Sequence, residues 1–414
     1  MRVPQALTDR FGVAYSERLT RTAVDEGLLS SVEELASRRF LARSVVPHIK
    51  TLSQLFNRRT DGEPGDRNYW RHTSGNAKNL RLAYFLGFMP PNQFRVASVW
   101  TELHRLGFRF TSFEGSFRAV ELGAGPAAGA TGIAAAEGIA PLRLPPQGEW
   151  SLIERDLSVM KLGERWASEC FNLFDLPGWT ARGHHHTIDR EEGLLNRRAP
   201  RFHLWVSSFF LNEMEGSPAE LAQALSESWE RHLEDDGLAI LVEPALQLQS
   251  RRLLEVRKAL LERWSGDRRS PFKILLPCLG HQPCGALAKE GDWCHEQVDW
   301  WRPPYLRKLD EFSGLDRKNL PFSYLVVART RRDRRELLPS LGEWPSPTTY
   351  RLVSPTHFEG RDAEFFVCGQ DGKRRCRMGV PSKDAAPQRG SILLEAELHG
   401  APESTRIQKV GSQL

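Results

Sequence analysis

Short apolar runs alternate with longer amphipathic stretches over the middle of the chain. Runs such as FRAVEL at 117–122 and GLAILVEP at 237–244 have the length of strands, and the stretches between such runs repeat apolar residues at helical spacing. Strands that are apolar on both faces and are joined by helices are typical of a parallel sheet covered by helices. The pattern therefore predicts an α/β domain.

The same reasoning assigns the remaining elements of this domain. Further strands are predicted at 150–156, 202–211, 272–277 and 322–330, with a weaker candidate at 178–183. Helices are predicted at 157–174, 219–233 and 250–264. The long segment between the last two strands, residues 277–318, has no long helical pattern and is interpreted as an insertion between neighbouring strands of the sheet.

Four parts are expected along the chain. Residues 1–110 have helical periodicity and form a helical N-terminal region, with a loop rich in Gly, Pro and Asp at 58–68. Residues 111–335 form the α/β domain with its insertion. Residues 336–383 form a small β segment whose two strands meet at a Gln-Asp-Gly turn, and residues 384–414 form a polar tail that is partly without regular structure.

The composition narrows the classes of protein. The chain has 414 residues, of which 57 are basic and 52 acidic, and its net charge of +5 is compatible with a polyanionic partner. It has no apolar run of membrane-spanning length, so no membrane partner is expected. The N-terminus has no apolar signal segment, and the six cysteines do not resemble a secreted disulfide framework. A cytoplasmic protein is therefore expected.

A glycine turn follows the first strand of the α/β domain, in the sequence VELGAGPAAG. Gly123 and Gly125 let the backbone approach a ligand closely, and the helix that follows offers unpaired N–H groups at its start. Glu154, at the end of the next strand, can accept hydrogen bonds from two ribose hydroxyls. The G-x-G-x-x-G spacing of nicotinamide dinucleotide sites is not present. Glu121 directly before the turn is more usual for S-adenosylmethionine, although a tight turn without a ligand has the same pattern.

Three of the six cysteines lie close together in the insertion. Cys278, Cys284 and Cys294 have the spacing C-x5-C-x9-C, which lacks the C-x2-C pair of zinc ribbons and the runs of ferredoxins. This spacing leaves both a metal site and unrelated buried thiols open. The insertion is too short and too polar to form its own core, which favours a metal. Zinc, with His281 or His295 as a ligand, and a [4Fe–4S] cluster are the candidates.

Two arginine-rich segments, RTRRDRR and GKRRCR, lie on the C-terminal side of these cysteines, and DWWRPPYLRK adds aromatic residues. Arginine binds phosphates through two hydrogen bonds and aromatic rings stack on unpaired bases, so contact with RNA is expected. A solvated charged face is the alternative. The candidate RNA-binding residues are Arg329, Arg331, Arg332, Arg334, Arg335, Lys373, Arg374 and Arg375.

Several stretches together resemble one protein family, the methyltransferase-like small-subunit assembly factors of mitochondrial ribosomes and their bacterial relatives. The similarity runs from about Leu80 to Cys368. The stretches that carry it are VELGAGPA, LIERDLSVMKLG, LWVSSFFLNEM, SWERHLEDDGLAILVEPALQLQSRRLLEVRKALL, PCLGHQPC, DWCHEQ and PFSYLVVAR. The resemblance implies a class I methyltransferase fold, S-adenosylmethionine at the glycine turn, an iron–sulfur cluster on four cysteines, and association with the small ribosomal subunit and its RNA.

The resemblance also implies roles for individual residues. The cofactor-binding residues would be Glu121, Gly123, Gly125, Pro126 and Glu154, with the last of these at the ribose. Asn212 and Glu213 would line the methyl-transfer pocket as catalytic residues. The metal ligands would be Cys278, Cys284, Cys294 and Cys368, because FFVCGQDGK resembles the strand that carries the family's fourth cysteine; Cys376 is the rival. Zinc remains the alternative to the [4Fe–4S] cluster.

The chain also departs from the family. Ala127 stands where the family usually has glycine, so its methyl group could crowd the cofactor. The Asn/Asp-Pro-Pro-Tyr motif, which positions an exocyclic base amine, is not found in the sequence. A cysteine nucleophile is not found either, since Cys170 lies in the middle of a predicted helix. We expect an S-adenosylmethionine-dependent enzyme that methylates small-subunit ribosomal RNA in ribosome assembly or translation. The alternative is an RNA-binding assembly factor without catalysis, and an NAD-dependent oxidoreductase fits the glycine pattern less well.

Overall fold

The computed structural model describes residues 3–58, 77–111, 113, 115–188, 193–265, 270–300, 302–342 and 346–414. The loop predicted at 58–68 lies outside the described residues except for its first position.

The N-terminal region consists of helices, as predicted. They are α1 (Gln5–Arg10), α2 (Val13–Asp25), α3 (Arg38–Phe40), α4 (Val46–Arg58), α5 (Ala77–Gly87) and α6 (Met89–Arg105). Their apolar faces, including Tyr15, Phe85 and Trp100, are fully buried and share one core with the helices of the α/β domain. The N-terminal helices therefore pack against the central sheet as one more layer.

The central sheet has the α/β architecture that the apolar runs predict. Its strands are β1 (Phe117–Leu122), β2 (Gly148–Glu154), β3 (Trp179–His185), β4 (Phe202–Ser208), β5 (Leu233–Pro244), β6 (Phe272–Leu276), β7 (Glu296–Asp299) and β8 (Asn319–Arg329). The helices that cover it are α7 (Ala128–Glu137), α8 (Leu157–Leu173), α9 (Pro218–His232), α10 (Gln247–Ser265) and α11 (Pro304–Ser313). The weak strand candidate at 178–183 is confirmed as β3.

The strand order identifies the class of sheet. The order is β3-β2-β1-β4-β5-β8-β6, and β7 pairs with one end of β8. Strands β1 to β5 are parallel to one another, whereas β8 is antiparallel to β5 and β6. This is the arrangement of a class I methyltransferase-like sheet. Successive strands are added on one side of β1 up to β3 and on its other side from β4 onward, so the strand order reverses between β1 and β4. Ligands of open α/β sheets bind at the carboxyl ends of the strands at such a point.

The insertion between β6 and β8 lies between neighbouring strands, as predicted, but it contains a helix that the sequence analysis did not assign. This helix, α11, has a proline at its first position, and its buried residues Tyr305, Leu306 and Leu309 join the main core. The insertion therefore uses the core of the α/β domain and does not form one of its own.

A second sheet follows the short helix α12 (Arg334–Leu337) and forms the C-terminal part of the chain. Its strands are β9 (Tyr350–Leu352), β10 (His357–Glu359), β11 (Asp362–Gly369), β12 (Gly372–Gly379), β13 (Ile392–Leu394), β14 (Glu397–Ala401), β15 (Ser404–Lys409) and β16 (Ser412–Gln413). Strands β11 and β12 form the predicted hairpin.

The interpretation of residues 384–414 as a polar tail that is partly without regular structure is wrong. Strands β13 to β16 belong to the second sheet, and β13 pairs with β9. Ile392, Leu393 and Ile407 are buried in the cores. These strands are short and their other faces are polar, so few apolar positions indicated them in the sequence.

A buried ion-pair network joins the two sheets. Arg351 of β9 donates to Glu102 of α6 at 2.6 Å and to Glu296 of β7 at 3.4 Å. It also donates to the hydroxyl oxygen of Tyr324 in β8 at 3.1 Å, and that hydroxyl donates to Glu102. All four residues are buried. The network therefore fixes the second sheet to the helical region, the insertion and the central sheet.

Within the described ranges, the helices are all too short or too polar to cross a lipid bilayer.

Candidate functional site

The glycine turn joins β1 to α7 at the carboxyl edge of the sheet. Gly123 and Gly125 have φ values of +58° and +52°, a region that is costly for residues with a side chain. Ala127 has φ +60°, a conformation that favours glycine. Its methyl group is fully buried in the main core. The departure at Ala127 is therefore accommodated as local backbone strain within the protein interior.

The side chain of Glu121, in β1, is buried and points to the start of α7. Its two carboxylate oxygens accept hydrogen bonds from the backbone N–H groups of Gly129 and Ala130, at 2.7 and 2.8 Å. Burial raises the pKa of Glu121 to about 7. The side chain thus binds the N-terminus of the helix, which is a favourable position for a carboxylate.

Glu154, at the end of β2, faces the glycine turn. One of its oxygens accepts from the N–H of Gly125 and the other from the N–H of Asp156, both at 3.0 Å. Burial raises the pKa of Glu154. Because each carboxylate oxygen can accept a second hydrogen bond, this side chain can still bind hydroxyl groups. The turn, Pro126 beside it and Glu154 therefore remain the candidate site for an adenosyl cofactor.

A pocket of about 230 Å³ lies beside this turn, over the ends of β4 and β5. Its lining residues are Ser53, Phe56, Tyr84, Phe88, Pro91, Asn92, Arg95, Phe209, Asn212, Glu213, Pro244, Leu246, Gln249, Leu315 and Arg317. Tyr84 reaches the glycine turn, where its hydroxyl lies 4.0 Å from the position that a β-carbon on Gly125 would occupy. The two predicted catalytic residues, Asn212 and Glu213, therefore lie in a pocket next to the candidate cofactor site.

Glu243, at the end of β5, holds the turn that carries these two residues. Its carboxylate accepts from the backbone N–H groups of Leu211 and Asn212, at 2.8 and 3.1 Å, and from the side-chain amide of Asn212 at 2.9 Å. Phe209 precedes the turn with φ +60°, a strained conformation for an aromatic residue. Such strain is typical of functional sites.

We expect the substitution Glu243→Ala to destabilise the protein in a pH-dependent way. Each buried donor that it leaves unpaired costs about 1–3 kcal/mol. Burial raises the pKa of Glu243 from 4.5 to about 7, so between these pH values the folded protein keeps a proton that the unfolded chain has lost. The stability advantage of the wild type should therefore be largest near pH 4.5, decline up to about pH 7, and then level off. Urea unfolding across this range measures it, and an advantage that grows with pH would contradict the assignment.

Four cysteines line a second cavity, of about 50 Å³, at the same edge of the sheet. Cys278, Cys284 and Cys294 come from the insertion, and Cys368 comes from β11 of the second sheet. Burial raises the pKa of Cys368 to about 12, and its neighbours Cys278 and Cys284 add to the effect. One water needs about 10–15 Å³ of such space, so the cavity can hold a group larger than a single ion.

The fifth candidate thiol, Cys376, lies elsewhere. Residues of a strand alternate between its two faces, so Cys376 and Lys373 of β12 point to opposite sides. Lys373 is paired with Cys368 in the hairpin and lines the cysteine cavity with it. Cys376 is fully buried in the core of the second sheet, with Tyr350 and Phe365 among the other residues of that core.

The side chains around the cysteines are spaced too widely for a single metal ion. Among the described residues, no group of three or more His, Cys, Asp or Glu side chains is placed to hold one metal ion. Burial lowers the pKa of His281 to about 3 and that of His295 to about 4, so both imidazoles are neutral. The four cysteines therefore share a cavity without the close spacing that a single zinc ion needs.

Two arginines of α10 hold the insertion through hydrogen bonds to its backbone. Arg251 donates to the carbonyl oxygens of Ala286, Lys289 and Asp292. Arg257, which is 2% exposed, donates to the carbonyl oxygen of Gly280 at 2.8 Å. These hydrogen bonds satisfy backbone groups that the insertion cannot pair through regular secondary structure.

Most of the predicted RNA-binding residues have partners within the protein. Arg329 pairs with Asp235, Arg332 donates to the carbonyl oxygen of Arg109, and Arg334 is partly buried. The ion pairs of the hairpin are Lys373 with Asp292, Arg374 with Asp371, and Arg375 with Glu364. Arg331 and Arg335 are exposed. The eight residues therefore do not present one uniform cationic face.

Several residues of this region have no signal in the sequence. Tyr84, Arg95 and Arg317 line the pocket from α5, from α6 and from the end of the insertion, and only the tertiary fold brings them together. Glu243 left a signal, because it is an acid at the carboxyl end of an apolar strand in LVEP.

Solved structures with a related sheet are distant from this chain. A protein from Listeria monocytogenes assigned to the class I S-adenosylmethionine-dependent methyltransferases has 12% identity and a TM-score of 0.36, over 80% of this chain and 90% of that one. An O-methyltransferase from Bacillus cereus in complex with SAH has 8% identity and a TM-score of 0.30, over 67% and 90%. The fibrillarin/Nop5p complex has 13% identity and a TM-score of 0.29, over 57% and 81%.

No curated protein matches the sequence of this chain. A family match covers residues 182–385, from β3 to the second sheet. It includes the turn with Asn212 and Glu213 and all four cysteines of the cavity. The family is described as mitochondrial small ribosomal subunit Rsm22, and residues 182–385 of this chain are similar to it.

Proposed function

We propose that this protein binds S-adenosylmethionine and methylates RNA of the small ribosomal subunit. The observation that carries the proposal is that the candidate cofactor site and the pocket lie next to each other. The glycine turn and Glu154 come from β1 and β2, and the pocket with Asn212 and Glu213 lies next to them over β4 and β5. The family's description, which names the mitochondrial small ribosomal subunit, supports the choice of target.

The chain's own residues would hold the two reactants in place. Glu154 would accept hydrogen bonds from the ribose hydroxyls, and the N–H groups and glycines of the turn would allow the methionine part to approach the backbone. When bound, the cofactor supplies an electrophilic methyl group. Asn212 and Glu213 would orient the acceptor base, so that the rate enhancement comes mainly from proximity and orientation.

We further propose a [4Fe–4S] cluster on Cys278, Cys284, Cys294 and Cys368. The proposal is supported by the four thiols that line one cavity of about 50 Å³, and by the resemblance of the cysteine segments to the family. The residues fit the group, since three ligands lie in the insertion and the fourth lies in the second sheet. A cluster there would stabilise the insertion by linking it to that sheet. Arg331 and Arg335, which are exposed, are proposed to contact RNA.

An RNA-binding assembly factor without catalysis is the second candidate. The observation that favours it concerns Asn212, whose amide donates to the carbonyl oxygen of Phe209 at 3.3 Å and to Glu243 at 2.9 Å. An amide that is held in this way acts mainly to shape the turn.

The substitution Glu154→Ala should weaken S-adenosylmethionine binding by about tenfold to a hundredfold, because hydrogen bonds to a charged group contribute about 1.5–3 kcal/mol. Titration calorimetry measures this change. Glu149→Ala is the matched control, since Glu149 lies on the same strand and pairs with Arg182 at the surface. Equal affinity of the wild type and Glu154→Ala would remove Glu154 from the cofactor site.

Catalysis has a separate test. Small-subunit ribosomal RNA from a deletion strain is compared with wild-type RNA by mass spectrometry. The loss of one methyl mark, restored by the wild-type gene and not by a Glu154→Ala copy, supports the methyltransferase. A full set of marks in the deletion strain would favour the assembly factor.

A further inference from the structure

Arg95 of α6 lines the pocket and makes two hydrogen bonds within the protein. Its Nε donates to the carbonyl oxygen of Pro321 at 3.2 Å and its Nη1 donates to Asn92 Oδ1 at 2.8 Å. Among the residues that the structure describes, no Asp or Glu forms an ion pair with Arg95. An arginine has five N–H donors, so these two bonds leave donor capacity for a ligand.

The energetics of this arginine differ from those of its neighbour. Arg317 also lines the pocket, but it pairs with Asp310, which accepts from its Nε at 2.6 Å. Burial, followed by the charge of Arg317, lowers the pKa of Arg95 to about 9. Arg95 is partly buried, and a partly buried guanidinium beside a second positive charge is stabilised when an anion binds it. Arg95 therefore offers a positive charge to an anion at its side of the pocket, while Glu213 supplies a carboxylate to the same lining.

Aromatic rings form the other walls of the pocket. Tyr84 and Phe88 are stacked with ring centroids 6.0 Å apart, and Phe56 meets Phe88 edge to face at 5.2 Å. The guanidinium of Arg95 lies 5.2 Å from the centroid of the Phe209 ring. Flat rings beside a cation are the features that proteins use to bind unpaired nucleotides.

The size and position of the pocket restrict its ligand. Its volume of about 230 Å³ excludes a helix and limits the ligand to one small group, such as a single base with its phosphate at the mouth of the pocket. It lies over β4 and β5, on the side of the strand-order reversal away from Glu154 and β2. It is therefore adjacent to the candidate cofactor site and distinct from it.

We propose that this pocket binds a single nucleotide turned out of an RNA strand, with its base against the aromatic rings and its phosphate on Arg95. The inference rests on the proposed function and deepens it, because it assigns the substrate class to an unpaired nucleotide. Arg95 is a binding residue in this scheme. The carboxylate of S-adenosylmethionine is the other anion that could meet Arg95, and the test separates the two.

The test compares the affinities of the four nucleoside 5′-monophosphates with those of the corresponding nucleosides. The wild type should bind at least one monophosphate about tenfold or more tightly than its nucleoside, since charge-assisted hydrogen bonds have this strength. Arg95→Gln should abolish this preference and Arg95→Lys should retain part of it. Arg21→Gln, an exposed change on α2, is the control that should retain all of it. Affinity for S-adenosylmethionine should be the same in all four proteins.

Each outcome decides the question. A wild type without preference for monophosphates overturns the inference, and this comparison needs no variant to fold. A preference that survives in Arg95→Gln also overturns it, as does a loss of S-adenosylmethionine binding in place of monophosphate binding. If the wild type binds no S-adenosylmethionine but its phosphate preference depends on Arg95, the cofactor assignment fails and the nucleotide pocket stands.

Discussion

The substitution Arg351→Met is expected to lower the free energy of unfolding by about 3–5 kcal/mol, the cost of removing one partner from a buried ion pair. Burial would raise the pKa of Glu102, but Arg351 outweighs this effect and the pKa is lowered. Without Arg351, the carboxylates of Glu102 and Glu296 would remain buried without their shared cation. Methionine has a similar length, so the change mainly removes charge and hydrogen bonds and leaves little empty space.

The exposed hairpin provides a matched control for this measurement. Arg375→Met removes an ion pair with Glu364 at the surface, and exposed pairs contribute about 0–1 kcal/mol. Urea unfolding of the wild type and of both variants measures the two changes in the free energy of unfolding. Equal effects of the two substitutions would show that the network of Arg351 does not hold the sheets together. Arg351→Met should also raise the protease sensitivity of the second sheet, because its contact with the central sheet is weakened.

The sequence predicted those parts of the fold that depend on local patterns. Strands β1, β4, β5 and β8 are apolar on both faces, and only a central position in a covered sheet explains such runs. Strands β13 and β15 are short and half exposed, so their pattern is weak and resembles that of a polar tail. Period alone cannot assign strands of this kind.

The candidate site shows a similar division. The glycine turn and Glu154 are signalled by residues close in sequence, because the turn needs glycine at positive φ and the acid ends a strand. The roles of Arg95 and Arg351 depend on partners far away along the chain, such as Phe209 and Glu102. A single arginine in an amphipathic helix has the same sequence pattern whether it faces solvent or a pocket. Such roles follow from the tertiary fold.

The substitution Cys368→Ser is expected to abolish the proposed [4Fe–4S] cluster, since it removes one of its four proposed thiolate ligands. Protein purified without oxygen should lose its visible absorption and most of its iron. Cys376→Ala should retain both, because Cys376 lies on the opposite face of the hairpin in the apolar core. The alanine variant loses only a small buried group and should fold normally, which makes it the matched control.

Three results would contradict the ligand set. Iron retained in Cys368→Ser and lost in Cys376→Ala would exchange the two thiols. Zinc in place of iron in the wild type would exclude the cluster, and the absence of both metals would favour buried thiols without a metal. If the cluster is present, its loss in Cys368→Ser should also lower the unfolding temperature, because the metal joins the insertion to β11. Arg351 makes a second link between these parts, so the double variant Arg351→Met, Cys368→Ser should be destabilised by more than either single variant.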